Sequence, residues 1–479
     1  MAMKIRATIL ILLAMWSVTW LVACETTVTN PRATLADRDR HDNAHLKSIE
    51  LLSLDPQLDE SDLKLIEGVV WRPRYSQRVR RAALDVLWRA APDRTIVLLR
   101  RQLPRMTEWP WLVEVCDWVA DRNIVELDPA LVSSWGRPRS IRTPESERPE
   151  CIALVQMHGK DRVADLVFEL FLDSKLPSQR GLRQRCWDLL HRIGERDRLI
   201  ALASSSSPAA DDVLLIDLHE AASTFGMVPV NREEIIWLQK IRMPERQAFW
   251  EEAAAAVQQV PAERRSSLEM RDLSVVVAAV RHRPELLTTS SQKLMQQTER
   301  VLQPRRHYHE SHPGLPGSNE NRERLRTHAS KLTWGDLAAM QLALEAMRFP
   351  QVRSHLFDYA DRDHLDESTE YGGIISLDEA GRFEVLEFLP RERTHDLRFN
   401  APQAMFDSGY TSLFHFHYHV RDYRNADHAG PGLGDMNYAD NTRANCLVLS
   451  FINRNTLNID FYRHDGVIVD LGTIERPGS

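Results

Sequence analysis

Apolar residues recur at helical spacing from residue 43 to about residue 350, and near residue 365 that period gives way to an alternation of two. The first stretch can bury its stripes only by packing helix on helix, and the second only by building a sheet. Val163, Leu166, Val167, Leu170 and Phe171 fall at i, i+3, i+4, i+7 and i+8. Ala83, Leu84, Val86, Leu87 and Ala90 form a second stripe after Arg78-Val-Arg-Arg81, and Trp111 to Val119, Leu182 to Ile193 and Leu268 to Val280 behave likewise. Thr333 with Asp336 predicts a capping box opening a helix that Pro350 closes. Short turns containing Pro, Asp or Ser separate these segments. Residues 43–360 therefore read as an all-α irregular solenoid, with a plain helical bundle as the alternative, and residues 361–479 as an α+β domain built on a central mixed sheet.

The ends and the charge narrow the setting. Lys4 and Arg6 precede an apolar run from Ile9 to Trp20, and Leu21-Val22-Ala23-Cys24 follows. Residues 1–23 read as a bacterial lipoprotein signal peptide cut before Cys24, whose thiol would be acylated, with residues 24–42 as a polar tether. An ordinary signal peptide or an N-terminal anchor is the alternative, but the apolar run is short for a spanning helix. Glu25 after the cysteine points to the outer membrane, facing the periplasm. The formal net charge of −7 and the absence of a basic patch with interleaved aromatics argue against nucleic acid as a partner. Cys116, Cys151, Cys186 and Cys446 have no zinc-finger spacing, and export leaves disulfides open.

Chemistry concentrates after residue 365. Gly372 to Leu377 and Phe383 to Phe388 read as a hairpin turned at Asp378-Glu-Ala-Gly381, and Ala401 to Asp407 as a short helix. In Ser412-Leu-Phe-His-Phe-His-Tyr-His-Val420 three histidines alternate with aromatics, so His415, His417 and His419 line one face of a strand and Phe414, Phe416 and Tyr418 the other. Three imidazoles in register are candidate metal ligands; a solvated edge is the alternative. Asp435 opens a predicted helix to Asn445, and three strands close the chain, Cys446 to Ile452, Leu457 to Tyr462 and Val467 to Leu471, the last two joined at Asp465-Gly466. His307, His309 and His312 form a second cluster in a Pro/Gly-rich loop without the apolar framing that fixes ligands. His395, His428, Asp422 and Asp427 read as loop residues, and Asp366 and Glu367 lie close to Glu370 in sequence.

Glu370-Tyr-Gly-Gly-Ile-Ile375, the apolar approach to His417-x-His419, and Pro431-Gly-Leu-Gly-Asp435 together resemble the JAMM (JAB1/MPN, Mov34) metalloprotease motif over roughly residues 365–472. Gln77 to Leu103 likewise resembles one HEAT-type helical pair. The JAMM resemblance implies a Zn²⁺ centre with His417, His419 and Asp435 as ligands, Glu370 as general base, and a protein or peptide amide as substrate. His415 with His417 gives the same strand geometry and is the alternative ligand pair. The sequence departs from the motif in three ways. The family's serine, which helps hold a developing oxyanion, falls on Gly432; its proline after the second histidine is Val420; and Arg421 to Gly430 lengthens the loop before Asp435. Two readings therefore stand beside a zinc-dependent peptidase or isopeptidase-like hydrolase held at the membrane by Cys24. One is a catalytically inactive metal-binding domain on a helical scaffold that engages a protein partner; the other is an interaction protein with structural histidines.

Overall fold

The computed structural model describes residues 28–37, 39–55, 58–137, 143–205, 208–309, 322–393 and 399–478. The leader with Cys24, and His312 and His395, lie outside the described residues. Among the described residues no helix is long and apolar enough to cross a membrane. The chain divides into two compact units, residues 1–170 and 171–479.

In the first unit helices pack in adjacent pairs, among them Glu60–Trp71 against Gln77–Ala90 and Trp109–Asp121 against Pro149–His158. Four residues of the predicted stripe, Ala83, Leu84, Val86 and Leu87, are in the core, while Ala90, the last residue of its helix, is exposed. A buried guanidinium joins successive helices. Arg80 donates to Val70 O at 2.9 Å and to Glu108 Oε2 at 2.7 Å, and stacks over Trp111 at 4.1 Å. Such a charge is tolerated inside because its donors are matched.

The second unit holds further helices and the sheet. Trp334–Ala346 is buried on almost every side, between Asp272–His282 and Ser291–Leu302. A Cβ at Gly335 would come within 2.2 Å of Asp272 Oδ1, so only glycine admits this helix crossing. Thr333 and Asp336 form the predicted capping box. Pro350, expected to close that helix, instead opens the next one, Pro350–Leu365, at a position where its missing N–H costs nothing. The helix expected from Leu268 starts at Asp272, because Asp272 Oδ2 caps the N–H of Glu269 at 2.9 Å and holds the preceding residues in turns.

Among the described residues the sheet has six strands: β1 (Gly372–Leu377), β2 (Phe383–Phe388), β3 (Phe414–His419), β4 (Cys446–Asn453), β5 (Thr456–Arg463) and β6 (Val467–Glu475), in the order β2-β1-β3-β4-β5-β6. Among the described strands only β3 and β4 run parallel, which makes the sheet mixed. Parallel neighbours need a crossover, and here it contains the helix Leu433–Thr442. Phe414, Phe416 and Tyr418 are buried on the opposite face from the histidines, and Tyr418 Oη donates to Leu356 O of the helix Pro350–Leu365 at 2.9 Å. Asp465 and Gly466, at φ of 64° and 71°, turn β5 into β6 as a tight hairpin requires. Cys116, Cys151, Cys186 and Cys446 are buried, and no disulfide joins any two of them.

Candidate metal centre

β3 places His415, His417 and His419 on one face, and the crossover helix lays Asp435 above two of them. The helix expected from Asp435 begins at Leu433, because Asp435 is its third residue: its Oδ2 accepts the N–H of Gly432 at 2.8 Å. That cap holds the carboxylate with Oδ1 3.1 Å from His417 Nε2 and Oδ2 3.5 Å from His419 Nε2. The two imidazole Nε2 atoms are 3.3 Å apart. These separations fit one shared ion: a tetrahedral zinc with ligands at roughly 2.0–2.1 Å spaces its ligand atoms about 3.3 Å from one another. His417, His419 and Asp435 form the candidate metal cluster of the described residues.

The far nitrogens are held so that the Nε2 atoms face the cluster. His419 Nδ1 donates to His428 O at 3.0 Å, and that carbonyl also accepts from Ser450 Oγ at 3.3 Å. His417 Nδ1 lies 3.3 Å from Tyr462 Oη. Outer partners of this kind fix ring orientation and tautomer in metal-binding histidines. Asn425 pins the intervening loop, donating to Phe451 O at 2.8 Å through its N–H and to His419 O at 3.0 Å through Nδ2. Residues 425–428 are therefore fastened to the sheet rather than laid across a cleft.

The charges are mutually adjusted. Burial alone would lower the pKa of His419, but the hydrogen bond and charge of Asp435, with a contribution from Glu370, push it up to about 9. Burial alone would raise Asp435, yet His417 and His419 hold it well below the usual carboxylate range. Glu370 acts on His419 because of register. Gly372 pairs with His417, and Tyr418 N donates to Tyr371 O at 3.2 Å, so the ladder continued one step sets Glu370 level with His419. Residues directly opposite on antiparallel strands point to one face. Asp366, close to Glu370 in sequence, accepts from Arg393 at 2.7 Å and from Tyr371 Oη at 3.1 Å.

His415 stands apart. Its Nδ1 meets Tyr438 Oη at 2.8 Å, and a Cβ at Gly409 would reach its Nε2 at 2.3 Å. Burial pushes its pKa down to about 4. It is a neutral spacer beneath the Asp435 helix and no member of the cluster. His307, from the second sequence cluster, donates to Asp470 Oδ2 at 3.0 Å and sits 2.8 Å from Leu302 O, so both its nitrogens are engaged. Tyr438, Tyr462 and Ser450 were not singled out from sequence. Tyr462 had a signal, the alternation Asn458, Asp460, Tyr462 along β5, which repeats the polar face of the histidine strand.

No family model, no curated protein and no solved structure matches the chain.

Proposed function

We propose that this chain is a zinc-dependent, JAB/MPN-like hydrolase acting on an amide bond of a protein or peptide, carried on a HEAT-like helical scaffold and held at the bacterial outer membrane through an acylated Cys24. The observation that carries the reading is the convergence of His417 Nε2, His419 Nε2 and the Asp435 carboxylate, with Oδ1 3.1 Å from His417, Oδ2 3.5 Å from His419 and the two nitrogens 3.3 Å apart. Three such ligands with a free fourth position are the arrangement of catalytic rather than structural zinc. A zinc ion held there supplies Lewis acidity and lowers the pKa of a bound water. The protein's own part falls to Glu370, on the same face one strand away, which takes up a proton and returns it to the leaving amine. His428 O and Tyr462 keep the imidazoles aimed while this happens.

One observation favours a second reading, a metal-binding domain without turnover. Gly432 stands where the motif has a serine, and its N–H is already spent on Asp435 Oδ2 at 2.8 Å. A missing oxyanion donor costs ~10²–10³ in rate.

Metal analysis of the purified protein comes first. One equivalent of zinc, lost in His419→Ala and kept in Glu370→Gln, is expected; a wild type that takes up no zinc at neutral pH rules out both readings. Cleavage of a peptide library by wild type and not by Glu370→Gln then separates hydrolase from silent binder. Cys24→Ser should move the protein from the membrane fraction to the soluble fraction.

A further inference from the structure

The histidine face of the sheet continues past the candidate metal centre. Level with His417 lie Val448 on β4, Asp460 on β5 and Asp470 on β6, and level with His419 lie Ser450 and Asn458. Asp460 and Asn458 are 0% exposed. Asn458 Nδ2 donates to Asp460 Oδ2 at 2.9 Å, which leaves Asp460 Oδ1 and Asn458 Oδ1 buried with no hydrogen-bond partner among the described residues. Asp470 cannot serve them: its Oδ2 accepts from His307 Nδ1 at 3.0 Å and Tyr308 N at 2.9 Å, and its Oδ1 from Gly472 N at 2.6 Å. Glu323 brings a third buried carboxylate, its backbone carbonyl accepting from Asp470 N at 2.9 Å. Burial, and after it the charges of Asp470 and Glu323, oppose ionisation of Asp460, against the Asn458 hydrogen bond, which favours it.

Two orphaned oxygens beside two further carboxylates are unfavourable unless a cation or a proton joins them. The donors are carboxylate and amide oxygens, which suit a hard divalent cation better than zinc or copper. Glu323 and Asp470 line a cavity of about 860 Å³ with His307 and His309.

We propose that Asp460 Oδ1 and Asn458 Oδ1, with the Glu323 carboxylate at the cavity wall, form a second cation site for a hard divalent ion of the Ca²⁺ or Mg²⁺ kind, distinct from the His417/His419/Asp435 centre. The site acts on the first centre through one contact. Glu323 Oε1 lies 2.7 Å from where a Cβ of Gly430 would stand, and Gly430, at φ 101°, turns the chain toward Gly432 and Asp435. A cation that fixes Glu323 steadies the segment that aims Asp435.

The test uses the full chain, stripped of metal and reloaded with one equivalent of zinc, titrated with Ca²⁺ and separately with Mg²⁺ by calorimetry. One further equivalent of at least one ion is expected. It should persist in His419→Ala, where the zinc centre is lost, and weaken at least tenfold in Asp460→Asn. Melting with and without the ion gives an independent readout: wild type gains and Asp460→Asn does not. Absence of a further equivalent in wild type overturns the proposal, and so does an Asp460→Asn protein that binds the ion as wild type does. If Asp460→Asn does not fold, the wild-type stoichiometry and Asn458→Ala decide in its place.

Discussion

His415 and His419 are chemically alike and share one face of one strand, yet their surroundings set them to opposite tasks. His415 is sealed between Gly409 and Tyr438, and its neutral ring accepts or donates one hydrogen bond at 2.8 Å that props the helix bearing Asp435. Tyr438→Phe leaves a buried ring nitrogen without a partner, so it should cost about 1–3 kcal/mol in urea unfolding while leaving the metal stoichiometry at the wild-type value. Unchanged stability would show that the contact does not hold the helix. Period-two logic brought all three histidines to one face and could go no further, because a shift of two residues preserves every feature of the pattern. What selects His417 and His419 is the placement of Gly409 and Tyr438, which lie on other elements. Gly432 supports a sharper test of turnover. Its φ of −78° and ψ of −179° suit any residue, and a Cβ there would meet only Asp435 Oδ2, at 3.7 Å. Gly432→Ser should therefore fold normally, and in a hydrolase it should raise the peptide-cleavage rate by ~10²–10³. A silent domain stays silent, and an unchanged rate in an active wild type would mean that the oxyanion is held elsewhere.

At the scale of elements, the order strand, helix, strand from Phe414 to Asn453 was legible, and with it the reason Asp435 arrives above the histidines. A parallel β3–β4 pair forces the connection to cross one face of the sheet, and the helix Leu433–Thr442 lies on that connection. The polar alternation of β5 was equally present but went unread, because Asn458, Asp460 and Tyr462 gain meaning only when the register sets them beside β3 through β4. Helix Arg232–Ile241 carries a prediction of its own. Burial, reinforced by the charge of Glu269, pushes the Glu234 carboxyl up to about 8, while its Oε2 accepts Val230 N at 2.7 Å. Between the unfolded carboxyl value near 4.3 and about 8 the folded chain keeps a proton that the unfolded chain has released. The contribution is therefore full below the unfolded pKa and is lost as pH rises toward 8. Glu234→Gln keeps the shape and removes the titration. Its stability relative to wild type, from urea unfolding at pH 5 and pH 8, should improve with rising pH; a constant difference would place the titrating group elsewhere.

Across the second unit the helices and the sheet share a buried ionic network. Asp336 is 0% exposed and accepts from Arg271 Nη2 at 2.8 Å and from Arg463 Nε and Nη2 at 3.1 and 2.9 Å, while its Oδ2 also caps Thr333. Arg271 further donates to Glu269 Oε2 at 2.7 Å and to Asn445 Oδ1, at the threshold of β4, and His464 Nε2 meets Glu269 Oε2 at 2.8 Å. None of this was legible in the sequence. Asp336 showed only as a capping residue, and Arg463 follows it by 127 positions. Pairwise chemistry at that separation depends on the tertiary fold alone. Burial would raise the pKa of Asp336, but Arg271 and Arg463 hold it below the usual carboxylate range, so it stays ionised between two guanidinium groups. Asp336→Asn keeps the shape and leaves two buried cations short of their counter-charge, which should cost about 3–5 kcal/mol. Because the same carboxylate grips a helix residue and a β5 residue, that loss should lower the unfolding midpoint of helices and sheet together, read by far-ultraviolet circular dichroism and by the metal release that accompanies loss of the His417/His419/Asp435 cluster. If metal is released well before the helical signal falls, in wild type as in the variant, the sheet unfolds on its own and the network does not join the two.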